Sequence, residues 1–134
     1  MFERLRGPWR VGVAEASMRP AIEPGDWLLI DPTVRRWPRP GSIVVIREPE
    51  SDILAIKRVH TRPGGVVPDI QVTEPSTSEE VTVTVRLGPD EAWLVGDDPA
   101  VSIDSRRYGP VSVDRLVARA WFRYGPLGRI GRLR

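Results

Sequence analysis

Ser17 and Lys57 are the two side chains of this sequence best suited to nucleophilic chemistry on a carbonyl. Of twenty basic side chains, only Lys57 is a lysine, and it sits inside the apolar stretch Ile53-Leu54-Ala55-Ile56-Lys57-Arg58-Val59. Arginine stays protonated at any accessible pH, whereas a desolvated lysine gives up its proton and can serve as a general base. Ser17 opens Ser17-Met18-Arg19-Pro20-Ala21-Ile22, followed by Glu23-Pro24-Gly25-Asp26, where a strand ends and a sharp turn exposes a hydroxyl. A serine hydroxyl is a poor nucleophile until an adjacent base takes its proton, and a Ser–Lys dyad is one solution to that problem. Lys57 would then need a pKa well below the ordinary value of about 10.4. Its neighbours Ile53, Leu54, Ile56 and Val59 are expected to supply the desolvation. The Ser17 backbone N–H is the first donor available to a developing oxyanion. A lone lysine also arises by chance in an arginine-rich composition, so the pair gains weight only from the rest of the chain.

The elements that must position these residues are short. Fourteen prolines and twelve glycines leave little room for a long helix. Candidate strands are 11–16, 27–31, 42–47, 53–59, 66–72, 80–87, 92–95 and 116–122, rich in β-branched residues and clearly alternating in Val81-Thr82-Val83-Thr84-Val85. Turn signals separate them at Glu23-Pro24-Gly25-Asp26, Arg39-Pro40-Gly41, Arg62-Pro63-Gly64-Gly65 and Gly88-Pro89-Asp90. Single helical turns are expected at 17–22 and 112–116, and the polar stretch 73–80 reads as a hairpin tip. The expected fold is all-β: coiled antiparallel sheets forming a partly open barrel. At 134 residues the chain is one domain. The expected divisions are an N-terminal extension (1–10) and a single catalytic domain (11–134), with a variable hairpin insertion at 66–91.

Composition removes several classes of function. Without cysteine there is neither a disulfide framework nor thiolate chemistry, and a single histidine speaks against a histidine metal site. No cofactor is expected. No apolar run reaches the roughly 20 residues that span a bilayer, and the start of the chain lacks a signal-peptide core, so the sequence as it stands reads as soluble. The net charge of +2 hides a segregation: residues 1–68 carry 11 basic and 8 acidic side chains, residues 69–105 carry 1 and 9, and residues 106–134 carry 8 and 1. The arginine-rich, aromatic tail from Arg119 to Arg134 suits anionic lipid headgroups, with Trp27 and Trp121 as candidates for an apolar membrane-facing patch. It could equally fold back on the acidic middle, which itself argues against nucleic acid as a partner.

Three motifs follow one another: Ser17-Met18-Arg19-Pro20, then Lys57-Arg58-Val59, then Gly96-Asp97-Asp98 with Ser102-Ile103-Asp104-Ser105-Arg106. Each is weak alone, and the ordered set is specific. From about Val11 onward the chain resembles the signal peptidase I family of Ser/Lys leader-removing endopeptidases, including Pro40-Gly41-Ser42-Ile43-Val44-Val45 and the ending Ala118-Arg119-Ala120-Trp121-Phe122-Arg123-Tyr124. The resemblance implies Ser17 as nucleophile, Lys57 as general base, Ser102 as hydrogen-bond partner of the lysine amine, and Asp104 and Arg106 as the corner that holds them. It implies a polypeptide substrate with a leader or propeptide; the nickel superoxide dismutase maturation proteases are small relatives of this kind without a membrane span.

The sequence departs from that family at two places. Glu15 stands where serine or glycine is usual, two residues before the nucleophile, and strand alternation would put Glu15 and Ser17 on one face. Asp98 stands where asparagine is usual. Met18, Glu15 and Ala16 are the expected substrate-contacting residues, Met18 by shaping a pocket beside the site. His60 invites a Ser–His reading, but it lies three residues from Lys57 with no acid placed to orient it. Asp97, Asp98 and Asp104 lack the ligand order of a calcium loop and read as turn formers. Self-cleaving SOS repressors share the dyad but need a DNA-binding domain and a cleavable linker ahead of the serine. The rival from another class is a catalytically inactive β-domain that binds extended peptides by strand addition; the presence of both Ser17 and Lys57 weighs against it.

Overall fold

The computed structural model describes residues 4–5 and 9–134. Eleven strands and one short helix follow in chain order: β1 (Arg4–Leu5), β2 (Arg10–Gly12), β3 (Trp27–Asp31), β4 (Ile43–Arg47), β5 (Leu54–Thr61), β6 (Val66–Thr73), β7 (Glu80–Arg86), β8 (Glu91–Val95), α1 (Ser105–Tyr108), β9 (Val111–Ser112), β10 (Leu116–Gly125) and β11 (Gly131–Arg132). Nine strands form one antiparallel sheet in the order β1-β2-β3-β10-β4-β5-β8-β9, with β11 added to β10. The path ends at β1 and β9 rather than closing, so the fold is mostly β with coiled antiparallel sheets and no closed barrel. Among the described residues, β6 and β7 pair only with each other. The polar stretch after Thr73 joins them as a hairpin tip, and the hairpin rests on Trp93 through Val67, Ile70 and Val85.

β4 shows why this sheet has a core on both sides. Its run Ile43-Val44-Val45-Ile46 is buried throughout, because Ile43 and Val45 enter one cluster with Met18, Ile22 and Leu28. Val44 and Ile46 enter another with Ala55, Val59 and Leu94. A continuous apolar run of this length marks a strand covered on both faces. Burying one such side chain stabilises the fold by about 1.5–3 kcal/mol. β10 threads the middle, pairing with β3, β4 and β11, and its register shifts between Ala120 and Phe122 and between Arg123 and Gly125 mark bulges. Bulges bend a strand and raise its twist, which lets one ten-residue strand serve three partners.

One local expectation changes. β2 stops at Gly12; pairing continues for one residue, with Val13 bonded to Asp26 and Gly25, and then the Pro24-Gly25 turn leaves no partner strand for 14–16. The stretch 17–22 holds the single helical turn expected there, closed by the Ile22 N–H to Met18 carbonyl bond at 2.9 Å. The turn expected at 112–116 is a 3-10 turn over Val113–Arg115. The expected extension 1–10 lies partly outside the described residues; what is described of it pairs β1 with β2.

Candidate active site

Lys57 lies in the centre of β5 and Ser17 in the turn after β2, forty residues earlier. The Lys57 Nζ donates to Ser17 Oγ at 3.1 Å. Both are buried, at 4% and 8% exposure. Lys57 pairs with Val44 across β4 and shares its strand face with Ala55 and Val59. The expected desolvating neighbours divide: Val59 is on that face, whereas Ile56 belongs to the opposite cluster and Ile53 is 38% exposed. Cross-strand contacts, which sequence adjacency does not reveal, therefore enclose the lysine.

The three motifs meet at Ser17. The Asp98 N–H donates to the Ser17 carbonyl at 2.8 Å. Gly96 packs so closely that a Cβ there would lie 2.1 Å from Ser102 Oγ and 2.7 Å from the Ser17 carbonyl oxygen. Arg58, next to the lysine, grips Asp97 through Nε at 2.8 Å and Nη2 at 2.7 Å. Ser102 Oγ donates to Asp104 at 2.7 Å. Asp104, 1% exposed, also accepts from the Gly96 N–H at 2.8 Å and from Arg106 through its backbone N–H, Nε and Nη2. Burial alone would raise the Asp104 carboxyl pKa, but Arg106, Ser102 and the two backbone donors hold it down at about 2. It also caps α1.

Of the remaining residues, those expected to touch substrate are placed differently, whereas His60 is exposed and the aspartates sit in turns and ion pairs, as expected. Met18 is 1% exposed inside the core cluster, which leaves almost no surface for a ligand to touch. Glu15 and Ala16 are half-buried, and since β2 ends at Gly12 the alternation that aligned Glu15 with Ser17 does not apply. His60 is exposed, with Nδ1 2.7 Å from Thr61 Oγ1. Of the three aspartates weighed as a cation site, Asp97 is held by Arg58 and Asp104 by Arg106, while Asp98 accepts from the Ala100 N–H at 3.2 Å.

Two features were not singled out from sequence. Glu48 lies within electrostatic range of Lys57; burial raises its carboxyl pKa, Lys57 and Ser51 oppose that rise, and Glu50 and Glu15 add to it. Asp26, 1% exposed, receives Arg129 at 2.8 and 3.1 Å, Arg123 at 3.2 Å and the Glu23 N–H at 2.9 Å. Burial would raise its pKa, and these donors, Arg129 foremost, hold it below the usual carboxylate value. Two tail arginines thus fold onto the turn that follows Ser17, not onto the acidic middle. The signal was present in Glu23-Pro24-Gly25-Asp26, but only long-range pairing gives it meaning.

The family model described as "Signal peptidase, peptidase S26" matches residues 9–74 and 67–125. The mitochondrial inner membrane protease subunit 2 of Schizosaccharomyces pombe is 33% identical over 130 residues, covering 92% of this chain and 68% of that protein. The human mitochondrial inner membrane protease subunit 1 is 32% identical, covering 88% of this chain and 70% of that protein. A crystal structure of a signal peptidase I from Enterococcus faecalis V583 superposes with a TM-score of 0.50 at 18% identity, over 64% of this chain and 98% of that one. That likeness carries the fold alone.

Proposed function

Because the chain belongs to the signal peptidase S26 family, we propose that it is a serine endopeptidase that cleaves a leader or propeptide from another protein, with Ser17 as nucleophile and Lys57 as general base. The observation that carries this reading is the buried Lys57–Ser17 contact of 3.1 Å. Burial disfavours the ammonium form. The neutral amine takes the Ser17 proton as Oγ bonds to the scissile carbonyl carbon, and the resulting oxyanion is met by the Ser17 N–H. The lysine then passes that proton to the leaving amine as the C–N bond breaks. Water, deprotonated by the same lysine, releases the acyl group from Ser17.

In this reading Ser102, Asp104 and Arg106 are positioning residues. The Ser102 proton is committed to Asp104, so its oxygen lone pairs are what it can offer to the lysine. A peptide would lie extended beside the turn at 14–17, adding main-chain hydrogen bonds near Glu15 and Ala16, with small side chains just before the cut. The nickel superoxide dismutase maturation proteases exemplify the narrower version, a propeptide on a defined client. Incubation with a set of leader-bearing proteins, native chain against Ser17→Ala, tests the proposal. Cleavage by the native chain alone supports it; binding without cleavage by both supports the inactive strand-addition domain instead.

A second reading concerns the tail. Trp121, Leu127 and Ile130 are 48%, 89% and 50% exposed beside exposed Arg132 and Arg134, a mixture suited to peripheral contact with an anionic membrane. Among the described residues, no helix is long and apolar enough to cross a membrane. Co-sedimentation with anionic and neutral vesicles at low and high salt tests the contact.

A further inference from the structure

A cleft of about 490 Å³ opens between the start of β4 and the β10–β11 pair, and four arginines line it: Arg39, Arg119, Arg132 and Arg134. Among the described residues, no aspartate or glutamate lines it. Two of the three buried side-chain polar atoms without a hydrogen-bond partner among the described residues, Ser42 Oγ and Arg119 Nε, belong to lining residues. Ser42 is 7% exposed. Its backbone is already engaged, the N–H with Arg39 at 3.1 Å and the carbonyl with the Val59 N–H at 2.9 Å, leaving only the hydroxyl unmatched. Buried polar groups are nearly always paired, so two orphans beside one basic cleft require an explanation.

We propose that this cleft binds a phosphate-bearing anion, with Arg119 and Ser42 at its floor and Arg39 and Arg132 at its exposed rim. Four arginines and a serine lining one cleft carry more donors than one carboxylate can accept, whereas a phosphate offers more acceptor oxygens and more charge. Nearby carboxylates do not serve instead. Asp31, opposite Arg119 across β3, is exposed, and its pKa is lowered first by Thr33 hydrogen bonds at 2.6 and 2.9 Å, with Arg119 a lesser influence. The Arg134 carbonyl is taken by Arg58 Nη2 at 2.9 Å. The phosphate could be an inorganic ion or a phospholipid headgroup, and half-exposed Trp121 on the rim is compatible with both.

Isothermal titration of the full chain with inorganic phosphate at low ionic strength should show saturable binding. Arg119→Gln should weaken it about ten-fold, the loss expected for one charge-assisted hydrogen bond. Arg132→Gln, a change at an exposed position, should also weaken it, while Arg47→Gln on another surface and Ser17→Ala at the dyad should not. Phosphatidylcholine vesicles with and without phosphatidylglycerol separate the sources. Binding to the anionic vesicles that inorganic phosphate competes away and Arg119→Gln weakens identifies a headgroup; phosphate binding without vesicle binding identifies the free ion. Absence of phosphate binding, binding unchanged in both Arg119→Gln and Arg132→Gln, or binding of a glutamate-rich peptide where phosphate does not bind would overturn the proposal.

Discussion

Arg58 grips Asp97 with two parallel hydrogen bonds, at 2.8 and 2.7 Å, and so fixes the residue beside Lys57 to the loop whose next residue, Asp98, donates to the Ser17 carbonyl. The paired side chains are 19% and 18% exposed, which makes this bidentate pair stronger than a surface ion pair. Asp97→Asn is expected to keep the fold and to lower cleavage by about ten-fold. A double-mutant cycle with Arg58→Gln should give a coupling of about 1–3 kcal/mol. Additive effects would show that the two residues act separately.

Gly96 has no room for a side chain. A Cβ would fall 2.1 Å from Ser102 Oγ and 2.7 Å from the Ser17 carbonyl, so Gly96→Ala must push the two serines apart. It should cost about 1–3 kcal/mol of stability, as overpacking generally does, and remove nearly all cleavage. Denaturant melts paired with peptide assays check both parts, and a stable variant with full activity would refute the close packing.

Much of this was legible in the sequence. Seven of the candidate strands correspond closely to β3–β8 and β10, because β-branched runs bounded by Pro-Gly turns are a local signal. The strand expected at 11–16 shrank to β2 because its partner gives way to the Pro24-Gly25 turn, a pairing fact rather than a propensity. Lys57 and Ser17 stood out by residue type, but the pairing of the buried lysine with Val44 on another strand did not. Met18, expected beside a ligand, is core. Asp26 was legible only as a turn residue, since its partners Arg123 and Arg129 lie about a hundred residues away.

Glu48 should tune the base. Its carboxyl pKa is raised by burial and lowered by interaction with Lys57; reciprocally, its negative charge favours the ammonium and raises the lysine's apparent pKa. Glu48→Gln removes that charge, so the rising limb of the pH–rate profile should move to lower pH, by about one unit or less. His60→Ala should leave the profile in place. A shift to higher pH in Glu48→Gln would contradict this coupling.

Asp104 makes the fold acid-sensitive over a defined window. Its pKa falls from 3.8 to about 2 on folding, so its stabilising contribution is fully present above pH 3.8 and is lost as pH falls toward about 2. Asp104→Ala, which leaves the Gly96 N–H unmatched while the half-exposed Arg106 can turn to water, should cost about 1–3 kcal/mol, the range for an unsatisfied buried donor. The difference between thermal melts of the two proteins should narrow toward the acid end of that window; a constant difference would place the effect outside this carboxylate.

The most direct measurement is the cleavage rate of a leader-bearing substrate by the native chain, Ser17→Ala and Lys57→Arg, each shown by circular dichroism to be folded. Arginine keeps the charge but cannot accept the serine proton, so both variants should lose all but a trace of activity. The native rate should rise with pH through an apparent pKa well below the ordinary lysine value of about 10.4. Substantial cleavage by Lys57→Arg, or a native profile set by a group near 6.5 and abolished in His60→Ala, would contradict the assignment of Ser17 and Lys57 as the reacting pair.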